Sequence, residues 1–308
     1  MQLDTILVEI SDFLYSHMLI LLLIAAGLFF TFRTKFVQIR MFPEAIKSVT
    51  EKSKDQKVSS FQALMISTAS RVGTGNIAGI AVAIVLGGPG SVFWMWVMAI
   101  IGSASAFAES TLAQVYKLKD KGDFRGGPAY YIEKALGKRW LGIIFSIFLI
   151  ACMVYGLNVV QSYNISSSLE FYIPNYKNTI YPYITGIIIA VITGLVIFGG
   201  VHRIGFVSSY IVPVMALLYM VLGGYTIIMN IGKVPEMFRM IFESAFNFKA
   251  MFGSFAGSAM LIGIKRGLFS NEAGMGSAPN AAATADVSHP VKQGLVQIVS
   301  VCIDTLLI

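Results

Sequence analysis

The sequence predicts an all-α polytopic membrane protein, built as an inverted repeat with two broken helices, and three observations predict it. The chain of 308 residues is 56% hydrophobic and only 13% charged, whereas soluble domains carry about 25% charged residues. Long apolar segments recur along the chain. Two of them share an interrupted pattern, because RVGTGNIAG (71–79) and RGLFSNEAG (266–274) both read Arg, four residues, Asn, one residue, Ala-Gly.

Each matched stretch places an arginine, an asparagine and glycines inside an apolar segment. A glycine in a helix interior costs about 1 kcal/mol against alanine, and ionisable side chains at membrane depth are rare. We therefore expect helical hydrogen bonding to lapse within 70–76 and within 266–272, with the two gaps facing each other. Matched interruptions in two halves of a membrane protein point to a transporter's binding site. The alternative for each glycine is close packing between helices.

The first part of the chain reads as six spans joined by basic loops. The predicted spans are 13–32, 60–86 with the first break, 91–116, 141–164, 180–200 and 204–229. The polar stretches 33–60 and 117–140 hold most of the basic residues, which places both in the cytoplasm and the N-terminus outside. Pro128 opens a short interfacial helix in the second stretch, and His202 and Arg203 mark a tight inner turn.

The second part begins with an amphipathic helix predicted at 233–248, lying on the outer face. The segment 250–284 then forms two half-helices around the second break, and an eighth span starts near Lys292. Five spans, an odd number, separate the starts of the two units, so the repeat is inverted.

The domain prediction is a single transmembrane domain, 1–308. It divides into an extra N-terminal span and loop (13–59), a first five-helix unit (60–230) and the incomplete start of a second unit (231–308).

The composition also excludes several classes of protein. The net charge of +7 is explained by the basic inner loops of a membrane protein, so it gives no reason to expect a nucleic-acid partner. Cys152 and Cys302 lie in apolar spans without metal-ligand spacing, which predicts neither a disulfide framework nor a zinc site. The spans hold no paired aspartates, Ser with Lys or His, or HExxH motif, so neither an enzyme nor a bound cofactor is expected. The lipid bilayer is the expected surrounding partner.

The fullest motifs carry a family resemblance. VGTGN (72–76) is similar to the Gly-x-Gly-Asn of the first broken helix in sodium-coupled amino-acid transporters. The set STASRVGTGNIAGIA, GGPGSVFWMW, FRGGPAYYIEKALG and GLFSNEAGMGSAPNAAATAD resembles the alanine or glycine:cation symporter family. This resemblance implies a leucine-transporter-type fold with ten core helices. The chain stops in the second helix of the second unit, so we expect it to be a C-terminally truncated piece of a longer protein.

The breaks predict where a substrate would bind. An unwound helix exposes backbone N–H groups and carbonyls backed by half-helix dipoles, which suit an amino-acid zwitterion. The N–H groups of Gly73, Thr74 and Gly75 are expected to take its carboxylate, and Asn76 its ammonium group or a sodium ion. The predicted residues of the second break are Phe269, Ser270 and Asn271.

The resemblance adds a second sodium position. It implies that the backbone carbonyls of Ala69 and Val72 would serve this position, with partner hydroxyls beyond Ile308.

Several polar residues at membrane depth need partners. Arg71 and Glu109 lie roughly 16 and 12 Å deep by helix rise on consecutive spans, so we predict an ion pair between them, with Glu272 as the alternative partner. Asp304, roughly 16 Å deep by helix rise, is a functional candidate because acids in spans are rare. Asn158 and Gln161 are interpreted as the water-facing end of the fourth span rather than as residues that line a transport pathway.

The resemblance implies a function. It implies symport of small neutral amino acids, alanine and glycine, coupled to sodium, by alternating access in the plasma membrane. The alternatives are a proton-coupled transporter of the same fold, a channel and an intramembrane enzyme. A channel predicts an uninterrupted pore without an inverted repeat, and an enzyme needs catalytic groups that the spans do not show.

Overall fold

A computed structural model describes residues 2–51, 58–120, 123–247 and 258–308. The helices of the first half are α1 (Gln2–Phe13), α2 (Ile20–Arg33), α3 (Val37–Arg40), α4 (Phe42–Val49), α5 (Ser60–Arg71), α6 (Thr74–Gly87) and α7 (Gly90–Val115). Strands β1 (Leu118–Asp120) and β2 (Asp123–Arg125) pair antiparallel with Leu118 opposite Arg125. The later helices are α8 (Pro128–Leu136), α9 (Arg139–Ala151), α10 (Asn158–Ser167), α11 (Tyr181–Ile197), α12 (Gly200–Met229), α13 (Val234–Ala245), α14 (Ala259–Asn271), α15 (Ser277–Thr284) and α16 (Pro290–Cys302).

Three short π-helical turns interrupt or extend these helices. The first, Leu14–Leu19, joins α1 to α2, and the second, Cys152–Leu157, joins α9 to α10. The third, Ile303–Leu307, follows α16. A π-turn inserts one extra residue into a helix and is frequent at functional sites.

Six helical segments within the described ranges are long and apolar enough to cross a membrane. They are Val8–Arg33, Ser60–Gly87, Gly90–Val115, Arg139–Phe171, Gly200–Met229 and Pro290–Leu307. Each overlaps a predicted span. The predicted fifth span is the shorter apolar helix α11. The interrupted segment predicted at 250–284 lies partly outside the described residues and is otherwise formed by α14 and α15.

Helix α7 is the central packing element of the bundle. It contacts α2, α6, α13, α14, α15 and α16 along its length. The middle of the helix is built from small buried residues, Gly102, Ser103, Ala104, Ser105 and Ala106. Small side chains let neighbouring backbones approach closely, which is how helices associate when lipid surrounds them.

The helix predicted at 233–248 is confirmed as an amphipathic helix, and it packs on the start of α7. It forms α13, which buries Ile241 and Ala245, and the Trp94 indole N–H donates to the Ala245 carbonyl at 3.2 Å. Pro128 begins α8, as predicted from its position in the sequence.

Other local predictions were wrong or incomplete. The turn between α11 and α12 lies at Phe198 and Gly199, not at the predicted His202 and Arg203. The His202 imidazole lies in the first turn of α12, where its Nε2 is 2.9 Å from Asp123 Oδ1. The hairpin of β1 and β2 was not predicted, because its strands are three residues each, too short to show an alternating pattern. The polar stretch after the first span also contains α3 and α4.

Candidate functional site

The first break separates α5 from α6 by two residues. The last bond of α5 runs from the Val72 N–H to the Thr68 carbonyl at 2.8 Å, and the Asn76 N–H returns to the Gly73 carbonyl at 3.2 Å. Val72 has extended backbone angles (φ −76°, ψ 91°), and α6 begins again at Thr74. The lapse predicted within 70–76 is confirmed. The first N–H groups of α6 have no acceptor within their own helix.

The second break lies between α14 and α15 and is longer. Helix α14 ends at Asn271, and Glu272 adopts a left-handed conformation (φ +49°). Gly274 and Gly276 also have positive φ, +88° and +83°, which glycine adopts without the steric penalty of a side chain. The lapse therefore starts at the last residue of the predicted 266–272 window and continues beyond it.

Gly267 lies within α14, before the second break. A Cβ atom at this position would lie 2.8 Å from the Met98 Cβ and 3.2 Å from the Met95 Cα of α7. The glycine therefore serves close helix packing rather than unwinding, which was the alternative considered for the glycines.

The two breaks meet in a buried polar cluster around Asp304. Asn76 Nδ2 donates to Asp304 Oδ1 at 2.5 Å and to the Asp304 backbone carbonyl at 2.7 Å. Ser270 Oγ donates to Asp304 Oδ2 at 2.8 Å and contacts Asn76 Oδ1. Thr305 Oγ1 donates to the same Oδ2 at 2.7 Å. Asn76, Ser270 and Asp304 are all buried, so residues of both breaks and of the last span hold one carboxylate away from bulk solvent.

The local helix geometry explains how Asp304 and Thr305 reach the same cluster. Adjacent residues of an α-helix differ in direction by about 100°. Both residues lie in the π-turn Ile303–Leu307, where the wider turn changes the direction of the side chains. Thr305 Oγ1 also lies 2.5 Å from Asn271 Oδ1. The last span therefore contacts α14 through two consecutive residues.

Arg71 is buried at the end of α5 and joins the two breaks through neutral groups. It is 3% exposed. Its Nε donates to the Asn271 backbone carbonyl at 2.8 Å, and its Nη1 donates to Gln297 Oε1 at 3.0 Å. The cation thus lies at the negative end of the α14 dipole, which stabilises it. The sequence prediction placed Arg71 at depth correctly but missed Gln297, a neutral residue on the predicted eighth span.

The predicted ion pair between Arg71 and Glu109 is not formed. Among the described residues Arg71 forms no ion pair, and its Nη2 has no hydrogen-bond partner. Glu109 accepts a hydrogen bond from the Gly274 backbone N–H instead. The strongest acidic charge acting on Arg71 is that of Glu272, ahead of Asp304 and Glu109. The second break thus supplies a carbonyl to Arg71, and it also holds Glu272, the alternative partner predicted from the sequence.

The remaining predicted residues of the breaks lie around the cluster. Gly75 is buried, and a Cβ atom there would lie 3.2 Å from the Phe269 ring. Phe269 therefore covers the backbone of the first break, as the two facing gaps require. Thr74 is the first residue of α6, and its side chain lies outside what the structure describes.

Gln161 lies closer to the first break than the sequence suggested. A Cβ atom at Gly73 would lie 2.6 Å from Gln161 Nε2, so this side chain of α10 contacts the unwound backbone. Asn158, one turn earlier, instead lines a cavity with residues of α11. The wet-end interpretation of Gln161 was wrong.

The second predicted sodium position involves Ala69 and Val72. Ala69 is exposed on α5, whereas Val72 is buried in the break. This sodium position stays a prediction.

Comparison with known families identifies the chain. Its sequence matches the sodium:alanine symporter family model across residues 1–308. The chain belongs to this family. The family is one of transporters rather than enzymes, which confirms that part of the sequence prediction and agrees with the membrane-spanning helices.

Three relatives show how members of the sodium:alanine symporter family compare with this chain. The probable sodium/glutamine symporter GlnT of Bacillus subtilis is 50% identical over 97% of this chain and 62% of its own length. The amino-acid carrier protein AlsT of the same organism is 51% identical over 97% and 63%. The sodium/alanine symporter AgcS of Methanococcus maripaludis is 42% identical over 97% and 67%. The chain spans less than two thirds of the length of GlnT and AlsT.

Proposed function

We propose that the chain forms the substrate- and ion-binding part of a secondary transporter that imports small neutral amino acids, alanine and glycine, together with sodium. The observation that carries this proposal is the Asn76–Ser270–Asp304 cluster, in which two broken helices and a third span meet at a buried carboxylate. Breaks of this kind form substrate and ion sites in transporters. Membership of the sodium:alanine symporter family supports the same activity.

The substrate would bind along the start of α6. The N–H groups of Gly73, Thr74 and Gly75 would bind the carboxylate, because the first N–H groups of a helix are unpaired and carry a positive partial charge. Phe269 lies against Gly75, so we expect its ring to limit the size of the side chain that a bound amino acid can carry. This arrangement favours alanine and glycine over larger amino acids.

The sodium ion would be held by the oxygens of the cluster. Asp304 supplies a carboxylate, Asn76 an amide oxygen, and Ser270 and Thr305 hydroxyl oxygens, and each of these three side chains is hydrogen-bonded to Asp304. A buried carboxylate is stabilised by a cation in a medium where water is excluded. The carbonyls of Ala69 and Val72 remain the proposed second sodium position.

The arrangement of the half-helices supports alternating access. Helix α5 packs against α15, and α6 packs against α14. Each of these two pairs combines one half-helix of the first break with one half-helix of the second. This pairing is what an inverted repeat of the leucine-transporter type would produce. We propose that this repeat lies in the plasma membrane with its N-terminus outside.

Proton coupling is the second candidate, favoured by Asp304. A buried acid with three side-chain partners can carry a proton as well as bind a cation, and acids in spans form proton relays in transporters. Sodium is favoured over protons because the family is named for sodium.

Uptake of labelled alanine by proteoliposomes tests the proposal. An inward sodium gradient should drive accumulation, and a pH gradient without sodium should not. Unlabelled glycine should compete with alanine, and glutamine should compete poorly because of the Phe269 ring. Accumulation driven by the pH gradient alone would support the proton candidate, and no accumulation under either gradient would contradict both.

A further inference from the structure

Glu272 is a buried acid that the proposed binding site does not use. It is 3% exposed and lies at the end of α14 in a left-handed conformation. Its carboxylate accepts from Ser70 Oγ at 2.8 Å to each oxygen, and from Ser277 Oγ at 2.5 Å. Hydrogen bonds to an ionised acceptor are shorter and stronger than neutral ones.

The two serines belong to different units of the proposed repeat. Ser70 lies in the last turn of α5, and Ser277 is the first residue of α15. One carboxylate therefore connects the half-helix before the first break with the half-helix after the second.

A helix dipole and a neighbouring arginine stabilise the Glu272 carboxylate at this place. Glu272 precedes the first turn of α15, where the positive end of the helix dipole stabilises an anion. Arg71, next to Ser70, donates to the carbonyl of Asn271, next to Glu272. Two consecutive residues of one break thus hold two consecutive residues of the other.

The bridge lies beside a cavity at one side of the packed helices α5 and α15. Ser70 and Ser277 line a cavity of about 330 Å³, bounded by α5, α15, the α9 segment and α12. Neighbouring helices do not fill this space, so packing from that side does not hold α5 and α15 together. The Glu272 carboxylate is the polar contact that joins them at this level.

We propose that Glu272 is a positioning residue that makes α5 and α15 move as one body during transport. The inference rests on the proposed transport function but concerns a residue outside the substrate and sodium cluster. Its carboxylate connects the half-helices next to the residues that bind substrate, so a change in the cluster moves both together. Removing the bridge should therefore slow the conformational step and leave binding nearly intact.

A distance measurement tests the bridge without any transport. Spin labels at Phe61→Cys on α5 and Thr284→Cys on α15, with Cys152 and Cys302 replaced by Ala, report the separation of the two half-helices. The native protein should give one narrow distance distribution, and Glu272→Gln should broaden it. An unchanged width in Glu272→Gln would overturn the proposal.

Transport kinetics test the consequence. Glu272→Gln should lower the maximal uptake rate about tenfold, with the alanine dissociation constant changed less than about threefold, because binding and turnover depend on different interactions. The Ser70→Ala/Ser277→Ala variant keeps the charge and should reproduce the slow rate, which also covers the case in which Glu272→Gln does not fold. Ser146→Ala, whose hydroxyl bonds within its own helix, is the matched control and should transport at the native rate.

Two results would contradict the prediction that the bridge affects the transport rate and not alanine binding. A native rate in the double serine variant would show that the bridge does not limit turnover. Equal losses of affinity and rate in that variant would place the bridge in the binding site instead. Absence of sodium-driven uptake by the native protein would refute the proposed function, whereas the distance measurement would still test the bridge.

Discussion

At the scale of single residues, the surroundings of Asp304 predict how it binds a cation. It is fully buried, and its carboxylate is held by Asn76, Ser270 and Thr305. A charge in such a setting needs a counter-charge. Arg71 is the basic residue whose charge acts on it, and Arg71 is shared with Glu272. An additional cation at Asp304 would improve the local charge balance.

The Asp304→Asn variant tests whether the carboxylate charge is needed to bind the cation. The amide keeps the volume and can keep the hydrogen bonds, but it lacks the negative charge. We expect the sodium concentration for half-maximal alanine binding to rise about tenfold or more, equivalent to about 1.4 kcal/mol. Asp120→Asn, which removes a charge from an exposed pair with Arg125, is the control. An unchanged sodium requirement in Asp304→Asn would remove the carboxylate from the ion site.

A second prediction concerns Arg71 and distinguishes its coupling to Glu272 from its coupling to Glu109. Arg71→Met should lower thermal stability by an amount equivalent to about 1 to 3 kcal/mol, because it leaves the buried Asn271 carbonyl and Gln297 Oε1 without their hydrogen-bond donor. Combining it with Glu272→Gln should give a loss smaller than the sum of the single losses, whereas the combination with Glu109→Gln should be nearly additive. Melting curves of the single and double variants in detergent measure both cycles. A larger coupling to Glu109 than to Glu272 would contradict the order of charges found here.

At the scale of helices, the first break depends on the fourth span as well as on its own glycines. Gly73→Ala would place a Cβ atom 2.6 Å from Gln161 Nε2, at the end of a flexible side chain, and moving that side chain off its rotamer costs about 0.5 to 1.5 kcal/mol. We expect lower thermal stability for Gly73→Ala and partial recovery in the Gly73→Ala/Gln161→Ala double variant. Gly223→Ala, whose Cβ atom meets nothing within 4 Å, is the matched control and should not destabilise. Full additivity of the Gly73 and Gln161 effects would show that the two residues are not in contact.

The sequence predicted the helices better than the contacts between them. The apolar segments, the break at Val72 and Gly73 and the amphipathic α13 follow from local pattern, because helix propensity and periodicity are properties of neighbouring residues. Gln297 and the Ser70–Glu272 contact could not be predicted, since they depend on how helices distant in sequence pack. The π-turn that orients Asp304 also has no recognisable local pattern.

At the scale of the whole molecule, the distribution of basic residues predicts the orientation of the chain in the membrane. The basic stretches predict that Lys47 lies in the cytoplasm and Lys177 outside, and their side chains are 74% and 65% exposed. In a background with Cys152 and Cys302 replaced, Lys177→Cys should react with an impermeant thiol reagent in intact cells. Lys47→Cys should react only after permeabilisation. The opposite pattern would invert the proposed orientation.

The small-residue centre of α7 has a consequence for how freely the sequence can vary. Helix α7 contacts α3 and α8 as well as the six helices named above, and a Cβ atom at Gly102 would already lie 3.2 Å from Asn271 Nδ2. Any larger side chain in this region would push apart the helices that form both breaks. The fourth to sixth spans, whose apolar residues are mostly exposed, can instead exchange one hydrophobic residue for another. In a saturation library selected for growth on the transported amino acid, α7 should thus tolerate the fewest substitutions, although it contributes no side chain to the proposed substrate site.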